Sequence, residues 1–134
     1  MTASNEEIVR HAFESFRHLN LDGFTAEWRP DVVWDVSGYE NWPGKKSEYR
    51  GIHEVLDGFA SYLAGARGFE TSGHEVIHVD DTRVLGLHNE RRVSEDAKPV
   101  MLEIGVVYHF AEGQVVRAEV YTGHQNARDA AGLT

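Results

Sequence analysis

Asp35 stands between Trp34 and Val36. A carboxylate held among apolar groups has a raised pKa and can move a proton next to a carbonyl. The two-residue alternation of a strand offers the opposite reading: if Trp34 and Val36 face a pocket, Asp35 faces away from it. Tyr108 lies on the apolar face of its own segment, placed either to donate a hydrogen bond to a ligand oxygen or to sit in a core with its hydroxyl satisfied at the edge. His88 and Glu90 fall on one face of another extended segment, at the right spacing for an imidazole–carboxylate pair, and Asn89 falls on the other. Leu85 and Leu87 are in phase with Asn89. That phase turns Asn89 toward a pocket and leaves His88 on the sheet surface or at an interface; the opposite phase makes His88 a catalyst. The candidate catalytic set is therefore Asp35 as base and Tyr108 as donor, assisted by Asn89 or His88. Trp28, Trp34, Trp42, Val106, Val120 and Thr122 are the candidate substrate-binding wall, since ligand pockets are mostly apolar with few polar groups. Trp28 and Trp34 are equally readable as plain core.

Eight histidines and no cysteine narrow the metal question. His74 and His78 share a strand face, and His88 or His109 could join them. Side chains four apart on a strand lie ~13 Å from each other, and a site needs three or four convergent ligands. No metal site and no cofactor are expected. The absence of cysteine also removes disulfides and thiolate chemistry.

The elements that must position these residues follow from patterning. Ser4 and Glu7 form a capping box. Ile8, Val9, Ala12, Phe13, Phe16 and Leu19 then recur at helical spacing. Leu21, Phe24 and Trp28 suggest a short second helix stopped by Pro30. Asp31–Val36 is β-branched and aromatic, a strand, followed by a Gly-, Pro- and charge-rich loop from Ser37 to Arg50. Tyr39, Trp42 and Tyr49 lie in that loop, and three aromatics there suggest a segment folded over something. Ile52, Val55, Leu56, Phe59 and Leu63 make a third helix, closed by Gly65. From Phe69 onward the pattern is strands: Phe69–Val79, Val84–Val93, Val100–Phe110 and Val115–Thr122. Asp80-Asp81, Ser94–Pro99 and Glu112-Gly113 turn between them, and a short helix around Asn126–Ala131 ends at Gly132. Val116, Ala118, Val120 and Thr122 share one face, with Arg117, Glu119 and Tyr121 on the other. Helices first and long consecutive strands after is an α+β order. Such strands coil, so helices on one face leave a cone-shaped, curved antiparallel sheet enclosing a pocket, within one domain over residues 1–134.

Composition bounds the partners. A 134-residue chain with 41% hydrophobic and 26% charged residues is of ordinary globular make-up. Its net charge of −9 repels phosphate backbones, so no nucleic-acid partner is expected and a neutral or apolar small molecule is the easier ligand. No run of ~18 apolar residues exists to span a membrane. The acidic, polar start lacks a signal-peptide pattern, which predicts a cytoplasmic protein.

The run Leu21-Asp22-Gly23-Phe24, then Pro30–Gly38, then Trp42-Pro43 and Tyr49-Arg50-Gly51 resembles the SnoaL-like branch of the nuclear transport factor 2-like superfamily. Gly113–Tyr121 and Ala130-Ala131-Gly132-Leu133 are similar to that branch too. The resemblance covers nearly the whole chain and is carried by joint order and spacing. It implies a cone with its pocket between sheet and helices, often a homodimer through the sheet. It also implies a superfamily of ketosteroid isomerases, polyketide cyclases, epoxide hydrolases and proteins that only bind. Fold alone does not choose among them. The matching catalytic positions depart from the family sets. The isomerase base aspartate corresponds to Val36, with Asp35 beside it; the helix tyrosine corresponds to Ala12 or Phe13; the second oxyanion group falls at Val106. The cyclase histidine also falls at Val106, and its aspartate at Thr122-Gly123.

The leading expectation is a small pocket enzyme moving protons on a largely apolar substrate, by isomerisation, cyclisation or hydration. The alternative is a non-catalytic binding protein of the same fold. A third is an interaction module using the outer sheet face, for which Tyr121 and Val107 are the hints.

Overall fold

The computed structural model describes residues 4–44, 46–64, 68–93 and 99–133. Helix α1 (Asn5–Arg17) starts where Ser4 Oγ accepts the Glu7 N–H at 3.2 Å, satisfying one of the orphan donors of a helix start. Its stripe of Ile8, Val9, Ala12, Phe13 and Phe16 is buried. Leu19, expected to extend that stripe, lies beyond the helix at φ +60° and is 52% exposed.

Asn20 caps the short α2 (Leu21–Phe24) by accepting the Gly23 N–H at 3.1 Å. Trp28 does not belong to this helix. It opens β1 (Trp28–Gly38), and Pro30 lies inside the strand. The register between β1 and the last strand breaks between Trp28 and Val33. A residue without an N–H is tolerated in such a break because no ladder bond is lost there. The loop after β1 contains a further strand, β2 (Glu48–Arg50), paired antiparallel with Val33–Asp35.

Helix α3 (Ile52–Ala64) lies close on these two strands: a Cβ on Gly58 would approach Trp34 and Tyr49 to 2.9 Å. The four long strands follow in the expected order, as β3 (Gly68–Asp80), β4 (Arg83–Val93), β5 (Pro99–Ala111) and β6 (Gln114–Thr122). A final helix, α4, covers His124–Ala130. Gly65 and the Ser94–Lys98 part of the expected β4–β5 turn lie outside the described residues.

The six strands form one curved, unclosed sheet in the order β2-β1-β6-β5-β4-β3. All neighbours are antiparallel except β1 and β6, which run parallel. The chain is α+β. Helices α1 and α3 cover the concave face, and the main core lies between them and the sheet. Helix α4 covers part of the convex face, where Leu85, Leu87, Val107, Ala127 and Ala131 form a second, smaller core. Both faces of β4 and β5 are thus partly dry, and a strand dry on both sides loses the clean apolar–polar alternation.

Candidate functional site

Strand parity decides which side chains enter the cone. On β4 the inward set is Val84, Gly86, His88, Glu90 and Arg92, whose partners on β5 are Tyr108, Val106, Ile104, Leu102 and Val100. Val106 and Tyr108 face Val120 and Ala118 on β6, and Ala118 faces Trp34 on β1. These strands, with Phe13, Phe16 and Phe59 from the helices, wall a largely aromatic cavity. Trp34 and Phe59 stack at 3.9 Å, and Phe24 meets Trp28 and Phe59 edge-on at about 5 Å. Trp42, from the loop after β1, stacks on Tyr62 at 5.0 Å and stands perpendicular to Trp34. That loop does fold over something: Tyr39 and Trp42 both line the cavity.

One polar chain runs along this wall. Tyr62 Oη donates to Glu90 Oε1 at 2.6 Å, and His88 Nε2 meets Glu90 Oε2 at 2.7 Å. Tyr39 Oη lies 2.9 Å from Tyr62 Oη. With Tyr62 donating to the carboxylate, Tyr39 must donate to Tyr62, because each hydroxyl has a single proton. Glu90 as an ionised carboxylate only accepts, so Nε2 of His88 carries the proton and Nδ1 is left as the basic nitrogen. His88 and Glu90 are 6% and 4% exposed. Burial, reinforced by the Glu90 charge, pushes the Tyr62 hydroxyl far above its ordinary pKa, so it remains a donor at neutral pH. Arg92 lies 4.8 Å over the Tyr62 ring and donates to its carbonyl at 3.0 Å, holding the tyrosine from behind.

Tyr108 lines the cavity from β5, the strand next to the one that carries His88 and Glu90, and burial alone raises its pKa. Trp28 is beside it, with ring centroids 6.5 Å apart, and its indole N–H is buried without a hydrogen-bond partner. His74 stacks on Phe13 at 3.8 Å. Burial first, then nearby His88 and Arg10, push its pKa down to about 4, leaving a neutral ring at pH 7.

Of the residues singled out from sequence, Tyr108, His88, Trp28, Trp34, Trp42, Val106 and Val120 line the cavity. Asp35 and Asn89 do not. Asp35 pairs in register with Glu119 on the convex face, where it accepts from Arg117 at 2.6 Å and from the Ser37 N–H at 2.9 Å. Burial works to raise its pKa, but the Ser37 hydrogen bonds and the Arg117 charge outweigh burial and hold it below its ordinary value. A base meant to take a carbon-bound proton in an apolar pocket needs the reverse. Asn89 is turned outward beside Leu87 and His124, because the leucines in phase with it pack against α4 and not into the cavity. Thr122 shares the inward phase but accepts the Glu40 N–H at 3.0 Å and is not part of the wall. Sequence reading missed Tyr62, Tyr39 and Glu90 as cavity groups. Glu90 was signalled by its two-residue spacing from His88 and Tyr39 by the cluster of aromatics in its loop, while nothing singled out Tyr62. Among the described residues no three metal-ligating side chains converge.

A family model of SnoaL-like domains matches residues 9–118. The chain belongs to the SnoaL-like family. Its fold is shared with solved structures at low identity. TerC, co-crystallised with polyporic acid, superimposes with a TM-score of 0.78 at 17% identity, covering 97% of this chain and 99% of that one. An NTF2-like protein of unknown function from Burkholderia pseudomallei K96243 also reaches 0.78, at 22% identity, covering 95% and 97%. A candidate polyketide cyclase from Silicibacter sp. TM1040 gives 0.72 at 14% identity, covering 100% and 98%. No curated protein matches the chain. These likenesses show the fold, and no specific activity follows from them.

Proposed function

We propose that this SnoaL-like chain is a pocket enzyme that moves a proton on a largely apolar small molecule bearing a carbonyl. The observation that carries this reading is the buried Tyr39–Tyr62–Glu90–His88 chain on the wall of an otherwise aromatic cavity. Imidazole is the side chain whose ordinary pKa is nearest neutrality, and a carboxylate on one ring nitrogen fixes the tautomer and supports the charge as the other nitrogen takes a proton. In the step proposed, His88 Nδ1 removes a proton from the carbon next to the carbonyl. The bonding pair moves into an enolate whose oxygen is stabilised by a hydrogen bond from Tyr108, and the imidazolium returns the proton to a carbon of the same molecule. Donors aimed at a developing oxyanion in a dry site are among the largest contributions to such catalysis. Asp35 has no part in this mechanism.

A small bicyclic ketone, 2-tetralone, tests the step without knowledge of the natural substrate. Exchange of its α-protons in D2O, followed by NMR, is expected to be accelerated by the wild-type chain. His88→Gln is expected to lower that acceleration by about a hundredfold or more, with the fold intact by circular dichroism. Binding of 2-tetralone without accelerated exchange would support the second reading, a protein that only binds. That reading is favoured by Val106 and Thr122-Gly123 standing where the family's acid–base groups are expected.

A further inference from the structure

A second cleft adjoins the cavity. Arg10, Phe13, Glu14 and Arg17 of α1, with Thr71 to His74 of β3, border a surface groove of about 490 Å³. Phe13 is a wall of both spaces. The two also meet across the β3–β4 ladder, where Thr71 of the groove is the register partner of Glu90 in the cavity. A register break between Ser72 and Glu75, with Gly73 at φ +57°, changes the phase of β3 and brings His74 onto Phe13. Bulges of this kind re-aim side chains and are frequent beside sites. The Thr71 hydroxyl is buried here without a hydrogen-bond partner.

The local charge of the groove is opposite in sign to the net charge of the chain. The chain carries −9 overall, yet the groove holds two guanidinium groups against one carboxylate. Arg10 is three residues before Phe13 and Arg17 four after it, so both flank that ring on one helix face. Glu14 offsets part of Arg17 at 3.6 Å and also meets His18 at 3.1 Å. Arg10 makes no ion pair with a described residue. We propose that the groove is the anion-binding end of a two-part ligand site: an apolar ring system occupies the cavity past Phe13 while a carboxylate on the same molecule rests on Arg10 and Arg17. This assigns the substrate class as an amphipathic aromatic carboxylate, and it rests on the cavity being the ligand site.

A matched pair of probes, 2-naphthoate and the uncharged 2-acetylnaphthalene, separates the two claims by quenching of tryptophan fluorescence. Wild-type chain is expected to bind the carboxylate more tightly. Arg10→Gln is expected to weaken 2-naphthoate by about three- to fivefold and to leave 2-acetylnaphthalene unchanged, with Arg10→Lys retaining most of the preference. If both probes bind equally and Arg10→Gln affects neither, the anion site is wrong while the cavity reading stands. If neither probe binds the wild-type chain, both fall.

Discussion

Asp35 and His88 are both ionisable residues on strands of one sheet, and one residue of parity separates opposite fates. Asp35 stands on the convex face with Ser37 and Arg117 stabilising its charge, and its folded-state pKa is depressed. A depressed carboxylate contributes stability that is present above its unfolded pKa of about 4 and is lost as pH falls through the lower folded value. Asp35→Asn is therefore expected to cost about 1 kcal/mol at pH 7, measured by urea denaturation. The difference from wild type should shrink as the pH is taken below 4. The same variant is expected to keep full 2-tetralone exchange; a loss of exchange in a folded Asp35→Asn would return this residue to the mechanism. His88 has the reverse arrangement, an imidazole among aromatic rings inside the cone with one carboxylate on its far nitrogen.

Strand β4 shows how far elements were legible. Its existence and limits follow from composition: Val84–Val93 was expected and Arg83–Val93 is observed. Its inward face did not follow, because Leu85 and Leu87 outweigh Val84 among the apolar residues of the segment and naturally read as pocket-facing. They are buried, but under α4, a seven-residue helix whose docking site is not written in β4. The same reasoning succeeded on β5 and β6, where Val106, Tyr108, Ala118 and Val120 carry the apolar phase into the cavity. Tyr62 was hidden for a different reason: on an amphipathic helix a tyrosine reads as core, and only the tertiary approach of α3 to β4 supplies Glu90. The α4 contact is itself testable. A Cβ on Gly105 would overlap the Ala127 Cβ and come within 3.0 Å of Leu87 Cδ2. Gly105→Ala should force α4 off the sheet and cost about 1–3 kcal/mol. Because this happens on the convex face, 2-tetralone exchange per folded molecule should survive; its loss would mean that α4 supports the cavity directly.

At the scale of the whole molecule the cavity is tighter than its wall of rings suggests. The clear space within it is about 40 Å³, room for roughly three or four water molecules at ~10–15 Å³ each. Pockets for drug-sized ligands run to roughly 300–1,000 Å³, so a ring system enters only if wall side chains give way. Phe13 and Trp42 are placed to yield, one bordering the α1 groove and the other carried by the loop after β1. Unfilled space costs about 24 cal/mol per Å³, so leaving 40 Å³ open costs the fold about 1 kcal/mol. Val120→Ile, on the wall opposite Val106, adds one methylene into that space. The variant is expected to be more stable than wild type by up to about 1 kcal/mol, and to bind 2-acetylnaphthalene more weakly. Stability measured by urea denaturation and binding measured by fluorescence should thus move in opposite directions, as they do where a protein keeps open space for function. If Val120→Ile instead destabilises the chain and leaves binding untouched, the space beside Val120 is packed core and the ligand site must be sought on the Phe13 side alone.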